Sequence, residues 1–226
     1  MNRVAENLQK TLNKVRFAAE RAGRNAEEIK LVAVSKTVDV EQIKGGIKAG
    51  IQALGENRVQ DFLPKYEAVG GEVEWHFIGH LQSNKVRNII DKVTLIHSLD
   101  RWSLAEEINK RAGSTAVLPC VLVQVNISGE DSKFGMPPEE VLPFLRRASK
   151  LNNLKVCGLM TMAPFAGNPE EVRPVFRELK QLFDTISQEA IDGVHMDYLS
   201  MGMTNDFEVA IEEGANIVRI GRAIFS

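Results

Sequence analysis

The sequence is poor in the features that would announce a metal, a disulfide framework or a membrane. Only two cysteines occur in 226 residues. Cys120 and Cys157 stand far apart in apolar segments, without the paired spacing of a zinc site or redox motif, and are expected to be buried, reduced thiols. No apolar run approaches the length that spans a bilayer. Residues 1–23 carry charge throughout, where a signal peptide would have an apolar block. The chain is therefore expected in the cytoplasm. Charge of one sign is also missing: 28 Lys and Arg against 30 Asp and Glu leave a formal −2. No net field favours nucleic acid or an anionic membrane. Repeats, low-complexity linkers and composition shifts are absent as well, so residues 1–226 read as one domain around one core.

What the chain does have is alternation. Residues 2–22 put Val4, Leu8, Leu12, Val15 and Ala19 at helical spacing and Gly23 stops the run, which predicts an amphipathic helix over 1–23 packing on the main fold. Short apolar segments at 30–35, 52–55, 75–79, 94–98, 118–127, 155–160, 195–199 and 216–220 read as strands. Helical segments at 40–49, 58–68, 85–90, 103–112, 138–149, 170–190 and 206–213 separate them. Strands alternating with helices pair in parallel through right-handed crossovers, and this many units predict a closed (β/α)8 TIM barrel, an α/β fold. The competing open, doubly wound sheet would need a Gly-x-Gly-x-x-Gly turn for a dinucleotide. Ser35-Lys36-Thr37 stands in its place.

In such a barrel, chemistry gathers at the carboxyl ends of the strands. Lys36 follows the apolar run Leu31-Val32-Ala33-Val34-Ser35. A partly desolvated ammonium there would have a lowered pKa and could capture an aldehyde; the plainer alternative is an exposed lysine. Ser200, Gly202 and Thr204 bring hydroxyls and approachable amides to a turn suited to a phosphate, and Gly221 with the amide of Arg222 offers a second stretch of backbone. Arg219 lies inside an apolar strand, where its fixed charge needs a partner: Glu56, or the ring nitrogen of an aromatic ligand. An aldehyde-capturing lysine, a phosphate cradle and an arginine together fit pyridoxal 5'-phosphate. His76, His97 and His195 are expected to be loop or core histidines satisfied by backbone. No metal site is expected.

Five stretches carry a resemblance: LVAVSKT (31–37), LGENRVQ (54–60), WHFIGHLQSNK (75–85), SMGMTND (200–206) and RIGRAIF (219–225). Together they resemble the pyridoxal phosphate homeostasis protein family, single-domain relatives of the N-terminal barrel of alanine racemase, with the fold-type III cofactor barrel. The resemblance implies pyridoxal phosphate held as an internal aldimine on Lys36, with its ring nitrogen facing Arg219 and its phosphate around Ser200, Gly202, Thr204 and Gly221. Asn57 is expected to orient the cofactor; His80, Met160 and Lys133 are secondary candidates. Thr204 stands where many relatives have serine, and the chain stops at Phe225-Ser226 without their usual glycine.

The implied role is vitamin B6 homeostasis, as a buffer or carrier that hands the cofactor to dependent apoenzymes, from a protein that is itself monomeric. No catalytic residue is expected. An always-charged arginine keeps the ring a poor electron sink. Racemisation also needs a second base, which alanine racemases take from a tyrosine in a separate carboxyl-terminal domain not seen here; Tyr66 and Tyr198 fall in a helix and a strand. An amino-acid racemase of weak or unusual specificity is the competing expectation.

Overall fold

The structure, a computed structural model, describes residues 3–130 and 132–226. Met1 and Asn2 of the predicted first helix, and Asp131 in the loop near Lys133, lie outside the described residues. Helix α1 (Arg3–Arg21) comes first. Then follow β1 (Lys30–Val34), α2 (Val40–Lys48), β2 (Ala53–Glu56), α3 (Val59–Val69), β3 (Glu74–Phe77), β4 (Leu95–Leu99), α4 (Trp102–Ala112), β5 (Cys120–Gln124) and α5 (Pro138–Ala148). The chain ends with β6 (Lys155–Met160), α6 (Arg173–Gln188), β7 (Val194–Ser200), α7 (Phe207–Glu212), β8 (Ile217–Ile220) and α8 (Arg222–Phe225). The strands pair in parallel and in chain order, and β1 closes on β8. The barrel read from the sequence is the fold.

The period-2 geometry of a strand sorts its residues between two apolar layers. Leu31, Ala33, Trp75, Ile96, Val218 and Ile220 belong to the large cluster under the helices. Val32, Ala53, Leu95, Leu122, Cys157, Met160 and Ile217 form a second cluster, which fills the barrel. Polar residues interrupt this inner filling on β3, β4, β7 and β8, where His76, His97, Ser200 and Arg219 are all buried. Local signals fix the helix ends: the Asp39 carboxylate accepts from the Gln42 N–H at 2.8 Å and caps α2.

Several expected elements differ. The helix predicted over 85–90 is a 3₁₀ segment, Ser83–Asn88, in which Lys85 and Ile89 donate to carbonyls three residues back. The strand predicted over 118–127 spans only Cys120–Gln124, with Val125 making an isolated bridge to Met136. The helix predicted over 170–190 divides into a 3₁₀ turn, Pro169–Val172, and α6, where Pro174 occupies a first-turn position that needs no donor. Helix α8 was not foreseen. Cys120 is half-buried, and it neighbours Cys157 across β5 and β6. In α1, Leu12 stays exposed; Thr11 takes the buried place and returns its hydroxyl to the Asn7 carbonyl. Helix α1 packs against α7 and α8, and the Asn7 amide donates to the carbonyls of Ile224 and Ser226.

Candidate functional site at the barrel mouth

A cavity of ≈ 460 Å³ opens where β1, β2, β7 and β8 end, and Lys36, Asn57, Thr204, Arg219, Gly221 and Arg222 line it. Lys36 sits in the turn after β1. It is exposed and, among the described residues, its ammonium makes no hydrogen bond or ion pair. The desolvation expected of it is therefore a correction: the amine is free, and its neighbour is what is buried. Ser35 donates its hydroxyl to Glu56 Oε1 at 2.6 Å, and Lys65 Nζ from α3 donates to the Ser35 carbonyl at 2.6 Å and to Glu56 Oε1 at 2.7 Å. Glu56 is thus the partner of Lys65, and the Glu56–Arg219 pair allowed by the sequence does not form. Asn57, next along, has a buried Oδ1 with no hydrogen-bond partner.

Arg219 projects from β8 into the barrel. Its Nη1 donates to Ser200 Oγ at 2.5 Å and its Nη2 to the Thr161 carbonyl at 2.8 Å. Burial pushes its pKa down to about 10, partly opposed by the charge of Asp206. Among the described residues the guanidinium has no carboxylate hydrogen bonded to it, and two bonds leave most of its five donors uncommitted at the cavity wall.

Ser200 and Gly202 take different places from those expected. The Ser200 hydroxyl is shared between Arg219 and His97 Nδ1 (2.9 Å), inside the barrel and away from the cavity lining. Gly202 shapes the turn instead of lining the cavity: its φ is 91°, and a Cβ there would lie 2.6 Å from Ala210 Cβ and 2.9 Å from Phe207 Cα. Asp206 closes this turn by accepting the Met203 N–H at 2.6 Å, and burial raises its pKa. Thr204 remains open, its hydroxyl and N–H free of partners among the described residues. At Gly221 the missing side chain answers to the barrel, since a Cβ would sit 2.9 Å from the Val34 carbonyl. Arg222 is exposed.

None of the three secondary candidates lines this cavity. His80 Nδ1 pairs with Asp100 Oδ2 at 3.0 Å and its ring stacks on Phe134 at 3.9 Å, facing a neighbouring groove. Met160 is fully buried in the barrel filling; the rim lies two residues on, where Met162 lines the mouth. Lys133 is tied to Glu130 (2.7 Å) and Ser128 (3.4 Å) in its own loop. Sequence reasoning passed over Met162, the 85 % exposed Phe165 and Asp206, all of which line the mouth. Asp206 stood inside the stretch 200–206 already singled out. The histidines were also misjudged: His76 Nδ1 and His97 Nε2 meet each other at 2.9 Å, with no backbone partner. Among the described residues, no group of three or more His, Cys, Asp or Glu could hold a metal ion, and no helix is long and apolar enough to cross a membrane.

Residues 7–226 match the family model for the alanine racemase N-terminal domain. A pyridoxal phosphate homeostasis protein of Aquifex aeolicus is 50% identical over 221 residues, 97% of this chain and 96% of the relative. That of Haemophilus influenzae is 39% identical, over 97% and 95%. Among solved structures, PipY of Synechococcus elongatus, with pyridoxal phosphate bound, superposes with a TM-score of 0.85 at 30% identity, over 99% of this chain and 100% of PipY. An alanine racemase of Clostridium difficile shares the fold alone, at 20% identity and a TM-score of 0.77, with 59% of its length covered. The likenesses to the homeostasis proteins run over nearly their whole length, and the chain belongs to the pyridoxal phosphate homeostasis protein family, built on the N-terminal barrel domain of alanine racemase.

Proposed function

We propose that this chain binds pyridoxal phosphate at the barrel mouth, with Lys36 taking its aldehyde, and acts in the cytoplasm as a reversible store or carrier of the cofactor. One observation carries the reading: a free primary amine and a buried guanidinium with spare donors face the same cavity. The residues fit the group. The unpartnered Asn57 Oδ1 and the open Thr204 hydroxyl supply polar contacts, and the Thr204 and Arg222 amides suit a phosphate. Ser200, Gly202 and Gly221 serve the site indirectly, by holding Arg219, by bending the turn and by letting β8 close on β1. When bound, the cofactor supplies a reactive aldehyde and an electron-withdrawing ring.

Arg219 can only donate, so it favours an unprotonated ring nitrogen and a weak electron sink. Neither tyrosine lines the mouth: Tyr66 packs on Phe62 and Trp75, and Tyr198 lies near Lys30 in a cavity at the amino ends of the strands. Holding, with exchange through an open mouth, fits these residues better than turnover, and apoenzymes that need the cofactor are the natural recipients.

Lys36→Ala is expected to abolish the visible absorption of the lysine-bound cofactor and the borohydride-fixed adduct on the Lys36 peptide. Retention of either overturns the assignment. Incubation with single-enantiomer amino acids in heavy water is expected to give no α-deuteration at a useful rate; rapid exchange would favour the racemase reading.

A further inference from the structure

Beneath the mouth, five side chains form one hydrogen-bonded chain through the barrel. Arg219 Nη1 meets Ser200 Oγ at 2.5 Å, Ser200 Oγ meets His97 Nδ1 at 2.9 Å, His97 Nε2 meets His76 Nδ1 at 2.9 Å, and His76 Nε2 meets Glu74 Oε2 at 3.2 Å. Arg219 lines the mouth cavity, whereas Glu74, which also accepts from Lys30 Nζ at 2.5 Å, lines the cavity at the opposite end. The two histidines, Ser200 and Arg219 are all buried.

Only one neutral ordering of protons satisfies every member. Arginine can only donate and a carboxylate can only accept, so the ends fix the direction. Ser200 accepts from Arg219 and donates to His97 Nδ1; His97 donates through Nε2–H to His76 Nδ1; His76 donates through Nε2–H to Glu74. In the reverse order, an imidazole lone pair would face the Glu74 carboxylate. Adding a proton to His76 makes both its nitrogens donors and turns His97 around. Two donors then crowd onto Ser200 Oγ, and the serine proton is left without an acceptor in a buried site.

We infer that Glu74, His76 and His97 are positioning residues for the mouth: a proton-ordered relay, anchored at the far end of the barrel, holds Ser200 and Arg219 in place for the ligand. The relay loosens ligand binding when it takes up a proton. The charged groups facing the rings are Glu74 on β3, Lys30 on β1 and Arg219 on β8, with Asp206 acting on Arg219 from the turn after β7. Desolvation, the nearby Lys30 and, at His97, Arg219 lower the pKa of both rings, which keeps the neutral order in place. The barrel filling around the relay includes Ala53, Leu122 and Met160, with the titratable Cys157 within the same cluster and Cys120 and Tyr198 packed against it.

The relay itself is tested without ligand, and only its effect on the mouth rests on the pyridoxal phosphate reading. Nitrogen-15 NMR of the imidazoles in the full chain is expected to show both rings as the neutral Nε2–H tautomer. An Nδ1–H tautomer, or titration of either ring at or above the ordinary histidine pKa, overturns the ordering. Glu74→Gln replaces the obligate acceptor with a group that can also donate, far from the mouth. It is expected to mix the His97 tautomers and to weaken pyridoxal phosphate binding by roughly three- to tenfold, the scale of one hydrogen bond. Unmixed tautomers overturn the anchoring by Glu74, and mixed tautomers with unchanged affinity overturn the coupling to the mouth. If the unaltered protein fails to bind pyridoxal phosphate, the functional reading falls, while the tautomers still decide the relay.

Discussion

Replacing Lys65 with methionine removes the cation from the buried cluster that supports the turn of Lys36. Glu56 is fully buried and, among the described residues, its Oε2 has no partner and its Oε1 accepts only from Ser35 and Lys65. Loss of the ammonium leaves a buried carboxylate with a single neutral hydroxyl and deprives the Ser35 carbonyl of its lysine donor. Breaking one side of a buried pair costs ~3–5 kcal/mol. The Lys65 side chain keeps 11 % of its surface exposed, so water offsets part of the loss and about 3 kcal/mol is expected. For a chain of this size that corresponds to a melting temperature roughly 6–12 °C lower. Urea unfolding at neutral pH is the assay, with the midpoint shifting and the slope unchanged. The double variant Glu56→Gln/Lys65→Met removes both charges while keeping an acceptor for Ser35, and should recover most of the loss. A single variant costing under about 1 kcal/mol, or a double variant no better than the single, would refute the reasoning.

Stability should fall as pH drops below the ordinary histidine pKa. His76 and His97 have folded pKa values below the unfolded one, so the unfolded chain binds more protons there. Their stabilising effect is complete above about pH 6.5 and is lost progressively as the pH falls below it. Urea midpoints across that range measure it, and a flat profile would contradict the burial of neutral rings. Gly202→Ala forces a left-handed φ on a side chain that meets Ala210 and Phe207; a loss of about 2–4 kcal/mol, with weakened cofactor binding, is expected in unfolding and titration experiments. Cys120, whose pKa is lowered to about 7 chiefly by its hydrogen bond with Cys157, should be alkylated by iodoacetamide near neutral pH, while Cys157 stays protected in the folded protein. Peptide mapping after a short pulse distinguishes the two thiols.

The barrel and its mouth were legible because both are written locally. Alternating strand and helix periods named the fold, and Lys36, Asn57, Thr204 and Arg219 each stand just past or within an apolar run. The partners of these residues were not legible, because they come from elements distant in the chain. Ser200 meets His97 across 103 residues, and Arg219 meets Thr161 across 58. Glu56 was offered to Arg219 since both are charged and near strand ends. The side of the strand decided otherwise: Glu56 turns toward α3 and Lys65, whereas Arg219 turns into the barrel. Met160 failed for a related reason, since it still belongs to β6 and fills the interior, and only beyond the last paired residue does the chain reach the rim at Met162.

The clasp between α1 and α8 bears on how the chain reaches this state during synthesis. Asn7 bonds to carbonyls 217 and 219 residues away, and α1, with its apolar stripe of Val4, Leu8, Val15 and Ala19, packs on α7 and α8 from the other end of the sequence as well as on α2. Helix α1 can meet α2 early in synthesis, but its larger contacts with α7 and α8 must wait until those helices are made. The part of its stripe that meets those helices stays uncovered until then, a contact pattern that slows folding and exposes the nascent chain to association. Severing the clasp, as by Asn7→Ala, should accordingly be felt more in the unfolding rate than in the folding rate, because those bonds form last.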